Sequence, residues 1–168
     1  RGIWGDPVLE PSGGGSYGAA ADSYVAFVRR FVAERGIRSI CDIGCGDFNV
    51  GAQLAPAVER YEALDVSAEI VRRSRERYAH LGNVSFRVAD ATRDALPRAD
   101  LVTVRQVLQH LTNAQIARVL ARIEAAGFRC ALVTEHAPAH MTRANADLPS
   151  HAAETRAMLG SAVVLAAV

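Results

Sequence analysis

The chain contains no lysine: all 19 of its Lys/Arg positions are arginine. That absence excludes a phosphate-loop lysine, a pyridoxal Schiff base and every lysine nucleophile. Cysteine is scarce too. The thiols at positions 41, 45 and 130 make an odd count, with no Cys-x-x-Cys pair and no histidine at ligand spacing beside them. They read as buried thiols of a reduced, cytoplasmic chain, and no metal site is expected of them. There is no apolar run of bilayer-spanning length and no signal-peptide pattern; the chain starts without methionine, so its true start is expected upstream. A formal net charge of only +1 leaves no electrostatic footprint for nucleic acid or an anionic membrane. Small molecules are the expected partners, and nothing in the sequence sets an oligomeric state.

What is present suits one domain, because half of the 168 residues are apolar and can bury a sizeable core. Residues 1–18 carry Trp4, two prolines, a glycine run and Tyr17. They read as an arm whose aromatics fold over a ligand as a lid, with core packing or a dimer contact as the plainer alternative. Residues 19–168 form the domain proper. Over 19–35, Tyr24, Phe27, Val28, Phe31 and Val32 recur at helical spacing ahead of a capping Gly36.

Strand-like runs follow at 38–43, 61–66, 84–89, 101–104 and 128–134, mostly buried in pattern as parallel strands are. Helices fit between most of them: Ser67 caps one reaching His80, and Thr112 with Gln115 makes a capping box for one closed by Gly127. The alternation predicts an α/β fold, a Rossmann-like, doubly wound, mostly parallel sheet with helices on both faces. Segment 91–99 is short for a crossover and has room for about one helical turn. The last apolar run, 162–168, reads as an edge strand without its partner.

In such a sheet the ligand sits beyond the carboxyl ends of the strands. The first strand ends in Asp42-Ile-Gly44-Cys45-Gly46-Asp47-Phe48-Asn49, where two close glycines let main chain approach a nucleotide-like ligand. The second ends at Asp65-Val66, about twenty residues on, where an acid accepts ribose hydroxyls. Asp90 ends the third, with Ala91 beside it, placed to accept from an exocyclic amine. Each acid alone reads equally well as a helix cap; their register on three successive strands points to a nucleoside cofactor.

These motifs, with the stretch from Asp100 to Thr112, resemble those of class I S-adenosylmethionine-dependent methyltransferases, in a bacterial branch whose first motif also runs Gly-Cys-Gly-Asp-Phe-Asn and whose substrate is poorly defined. The resemblance covers most of the chain and implies a cytoplasmic enzyme that takes S-adenosylmethionine and releases S-adenosylhomocysteine, methylating an oxygen or nitrogen of a small molecule. It implies that Gly44, Cys45 and Gly46 pass under the methionine part, that Asp65 and Val66 hold the ribose, and that Asp90 and Ala91 hold adenine. Asp42 then orients the loop or meets the amino group, with Arg105, Gln106 and Tyr17 completing the cofactor site. Phe48 departs from the pattern, standing where many class I enzymes have a third glycine, and is expected in the wall of the cofactor or substrate pocket.

Methyl transfer is an in-line displacement that needs a base only where the acceptor sheds a proton. His110, His136 and Asp47 are the candidates. His110 reads alternatively as a structural hydrogen bond at a helix start, and Arg105 either as a partner for a carboxylate or as a solvent-facing loop residue. Two other functions share the fold logic. One is a module that binds the cofactor without catalysis; the other, a nicotinamide-dependent oxidoreductase, lacks its third glycine and would want glycine or alanine where Asn49 stands.

Overall fold

The computed structural model describes residues 16–149 and 155–165. Trp4 and the glycine run of the expected arm lie outside the described residues. Strands β1 (Ser39–Ile43), β2 (Arg60–Asp65), β3 (Val84–Val88), β4 (Leu101–Arg105) and β5 (Cys130–Thr134) pair in parallel in the order β3-β2-β1-β4-β5. This is the doubly wound sheet that the alternation predicts. Strand order reverses between β1 and β4, so a crevice opens there at the carboxyl ends.

Helices α1 (Gly18–Arg35), α2 (Asn49–Leu54), α3 (Ala68–Arg77) and α4 (Asn113–Ala126) cover the sheet. Residues of α1, α2 and α3 share one core with Ile40, Tyr61 and Phe86, while Ile116 and Val119 of α4 pack with Cys41, Leu64 and Val104 in the other. Both faces of β1 are thereby buried, which explains why its residues are apolar apart from Ser39 and Asp42. The caps form as expected. Ser67 Oγ accepts from the Ile70 amide, Thr112 and Gln115 bond reciprocally, and Gly127 closes α4 at φ +68°.

The structure corrects three local expectations. On α1 the buried stripe is Ala21, Val25, Val28 and Val32, whereas Phe27 is 43% exposed and stacks on Phe31 with Arg30 and Arg35 over the rings. Small and β-branched residues allow the helix to lie close to its neighbours. Segment 91–99 makes no helix, only a hydrogen-bonded turn in which the amides of Arg93 and Asp94 donate to the Asp90 carbonyl. The described part of the terminal run, to residue 165, does not join the main sheet: β7 (Ser161–Ala162) pairs in parallel with β6 (Arg143–Ala144) as a separate ribbon. Asn145, at φ +51°, ends that ladder because its side chain bonds both the amide and the carbonyl of Val164.

Candidate cofactor crevice

The crevice is a cavity of about 770 Å³ whose lining draws on the ends of β1, β2, β3 and β4. Its first wall is main chain. The amides of Gly44 and Cys45 both donate to the Leu64 carbonyl, at 2.8 and 2.9 Å, which ties the glycine loop to the end of β2. Gly44 sits at φ +74°, and a Cβ there would stand 2.4 Å from Val107 Cγ2 on the opposite wall. Only glycine meets both conditions.

Phe48 lies elsewhere than expected. Its ring is fully buried and meets Tyr61, Tyr78 and Phe86 edge-on at centroid distances of 5.2, 5.2 and 4.8 Å, inside the core and off the cavity lining. The residue holds φ +63°, a conformation that costs a side chain about 1–2 kcal/mol. Burying a phenyl ring returns about 1.5–3 kcal/mol before the aromatic pairs are added, so the balance favours phenylalanine. Gly51 makes room for it: a Cβ there would fall 2.1 Å from the ring.

Three carboxylates stand at the crevice. Asp65 Oδ1 accepts from the Ser67 amide at 2.9 Å and Oδ2 from the Gly46 amide at 3.1 Å, leaving each oxygen a lone pair. Burial pushes the Asp65 carboxyl above its ordinary value, against the pull of these amides. Asp42 accepts from Thr103, its register partner on β4, at 2.7 Å and from the Tyr61 hydroxyl at 3.0 Å; burial pushes it up as well. Asp90 is bound into its own turn by the Thr92 amide and hydroxyl and by Arg93 at 3.3 Å. Burial opposes its ionisation, but the Thr92 bonds and the charges of Arg93 and Arg122 hold it below the ordinary carboxylate range.

The second wall follows β4. Arg105 lines the cavity with its guanidinium 5.1 Å over the Tyr24 ring, and Gln106, at φ +56°, donates its amide to Thr134. A tight turn, Leu108–His110, brings His110 to the lining, and burial lowers its pKa so that the imidazole is neutral near pH 7. Gly44, Cys45, Gly46, Val66 and Ala91 also line the cavity. Burial pushes the Cys45 thiol well up, which makes it a poor nucleophile.

Three candidates are not on the lining. His136 is exposed, while its neighbour Glu135 turns inward to accept from the Leu108 and Gln109 amides at 2.8 and 3.2 Å. Asp47 is buried and accepts from the Tyr17 hydroxyl and the Asn49 amide, so Asp47 and Tyr17 hold each other rather than reaching into the cavity. Burial and that bond push Tyr17 up to about 12. A second bond, Asn49 Nδ2 to the Ser16 carbonyl at 2.7 Å, makes this a strap between the start of α1 and the glycine loop. Sequence reasoning overlooked Tyr24, Tyr61 and Thr103. The last two were findable, since Asp42 buried in an apolar strand demands donors from the flanking strands.

Residues 40–126, just over half of the chain, match the methyltransferase domain family. The chain belongs to that family. Uncharacterized methyltransferases of Mycobacterium tuberculosis and Mycobacterium bovis are each 31% identical to it over 84 residues, 49% of this chain and 42% of theirs. The chain thus spans about two fifths of the length of the curated relatives it matches. Among solved structures, the YcgJ protein from Bacillus subtilis superposes with a TM-score of 0.59 at 17% identity, covering 70% of this chain and 52% of that one. The N-methyltransferase NodS from Bradyrhizobium japonicum, in complex with S-adenosylhomocysteine, gives 0.57 at 19% identity over 64% of this chain and 56% of its own. These likenesses establish the class I methyltransferase fold.

Proposed function

We propose that the chain transfers a methyl group from S-adenosylmethionine to an oxygen or nitrogen of a small molecule. The observation that carries this reading is Asp65: a carboxylate held by two backbone amides beside the glycine loop, with one lone pair per oxygen left for a pair of hydroxyls. The rest of the cavity fits the same group. Asp42, Asp65 and Asp90 give the site a negative field suited to a sulfonium cation, and Ala89, Ile70, Leu111 and Val119 offer apolar surface for a purine. When bound, S-adenosylmethionine supplies an electrophilic methyl on a positively charged sulfur.

The chain's own residues then have separable tasks. Asp65 and Val66 would hold the ribose, the loop from Gly44 to Gly46 the methionine part, and Ala91 the adenine. Asp90 contributes charge more than a free acceptor, because its own turn uses most of its lone pairs. Arg105 offers a guanidinium to a carboxylate. His110, neutral and on the opposite wall, is the group able to take a proton from a hydroxyl or ammonium acceptor.

Calorimetric titration with S-adenosylmethionine and S-adenosylhomocysteine tests the first half, and binding of both in the micromolar range is expected. If the folded protein binds neither at high micromolar concentration, the reading fails. Methyl transfer to a panel of hydroxyl and amine acceptors tests the second half; cofactor binding with no turnover across the panel would favour a non-catalytic module.

A further inference from the structure

The turn that carries His110 is gripped at both ends by charged side chains, the half-buried Glu135 and the buried Arg156. At its start the Glu135 carboxylate accepts from the Leu108 and Gln109 amides at 2.8 and 3.2 Å. At its end Arg156 donates from Nη2 to the Leu111 carbonyl at 2.6 Å, and from Nη1 to the Ala146 carbonyl. Arg156 is fully buried, which is rare for arginine. Its charge is balanced by Asp147, with Nη2 to Oδ1 at 3.9 Å, and by the field of Glu135. Taking a guanidinium out of water is costly unless its contacts are specific, and here they are two carbonyls from separate parts of the chain.

The grip joins separate parts of the chain. Arg156 belongs to a tight turn, Arg156–Leu159, next to the β6–β7 ribbon, and the same segment docks on the start of α4, where the Asn113 amide donates to Asp147 Oδ1 at 2.7 Å and Asn113 Nδ2 to the Asn145 carbonyl at 3.2 Å. None of Glu135, Asp147 and Arg156 lines the cavity, whereas Gln109, His110 and Leu111 between them do. Among the described residues, the segment therefore reaches the cavity through the turn it holds.

We propose that Glu135 and Arg156 are positioning residues that fix the His110 turn in the cavity wall, so that the segment carrying β6 and β7 sets the placement of His110. This rests on the reading of His110 as the proton-accepting group. It separates the two walls: the glycine loop and Asp65 bind cofactor whether or not the grip holds, while the imidazole is in place only when it does. Among the described residues, the charged groups bonded to the turn or to Arg156 are Glu135, Arg156 and Asp147, and burial is the largest cause of the lowered His110 pKa.

The test is a titration of the histidine ring signals by NMR in the wild type, Arg156→Met and Glu135→Gln, with His110→Gln to assign the His110 resonance. In wild type the His110 midpoint lies below the ordinary histidine value of 6.5. Loosening the turn admits water, so in either folded variant the midpoint should climb toward that value, with S-adenosylhomocysteine affinity within about twofold of wild type. If Arg156→Met does not fold, Glu135→Gln decides alone. An unmoved His110 midpoint in a folded variant overturns the proposal, and so does a loss of S-adenosylhomocysteine binding that accompanies a moved one. Failure of wild type to bind S-adenosylhomocysteine would instead overturn the methyltransferase reading and leave the ring titration standing.

Discussion

The two walls of the crevice are built by different means. The wall from β1 and β2 is main chain bonded to main chain, backed by the Phe48 cluster, and its ligand-facing carboxylate is aimed by backbone amides. The wall from β4 is aimed by side chains borrowed from distant segments, with Glu135 and Arg156 holding its turn and the Tyr24 ring under Arg105. The contrast separates a part whose shape follows from the fold itself from a part whose shape is set by a few charged contacts. Under the proposed function, the first is the part suited to an invariant cofactor and the second the part that one or two substitutions would reshape for another acceptor.

The contrast can be broken at its strongest point first. Phe48→Ala removes the ring that backs the glycine loop, and urea unfolding should report a loss of about 3–5 kcal/mol. Next in size, Asp65→Ala should weaken S-adenosylhomocysteine binding by calorimetry about 100-fold, roughly 2.7 kcal/mol, and cost about 1–3 kcal/mol of stability because the Gly46 and Ser67 amides lose their acceptor. An unchanged affinity would remove Asp65 from the site.

Asp42→Asn sharpens the comparison by separating charge from structure. The amide keeps an acceptor for Thr103 and sheds a buried charge, so stability should not fall, while affinity for the cationic cofactor should drop about tenfold. The smallest effect expected is that of Tyr17→Phe, which cuts the strap to Asp47 and should cost about 1 kcal/mol. The strap also has a pH signature. Because the folded Tyr17 pKa is raised from 10.0 to about 12, its stabilisation is complete below pH 10 and is lost as the pH rises through 12. A wild-type stability profile matching that of Tyr17→Phe over this range would show that the bond contributes nothing.

What the sequence disclosed follows the same division. The parallel sheet, both helix caps and the glycine loop with Asp65 were legible because each is a local pattern of spacing and chemistry. The packing of Phe48 was not, since its partners lie at 61, 78 and 86, and nothing local says whether a ring beside a loop faces ligand or core. The inward turn of Glu135 and the outward one of His136 depend on amides on the turn after β4. Arg156 was invisible for the same reason: its partner carbonyl lies 45 residues away. On α1 a count of apolar residues favoured the phenylalanines, whereas close packing selected the valines.

The pairing of Phe48 with Gly51 bears on how chains of this kind are found. A pattern that demands a third glycine in the first loop treats this one as a degenerate site. Here the loop is shaped from beneath, by an aromatic ring seated on a glycine three positions later in the helix. In this chain a phenylalanine with a glycine three residues on thus does the shaping with no glycine at position 48.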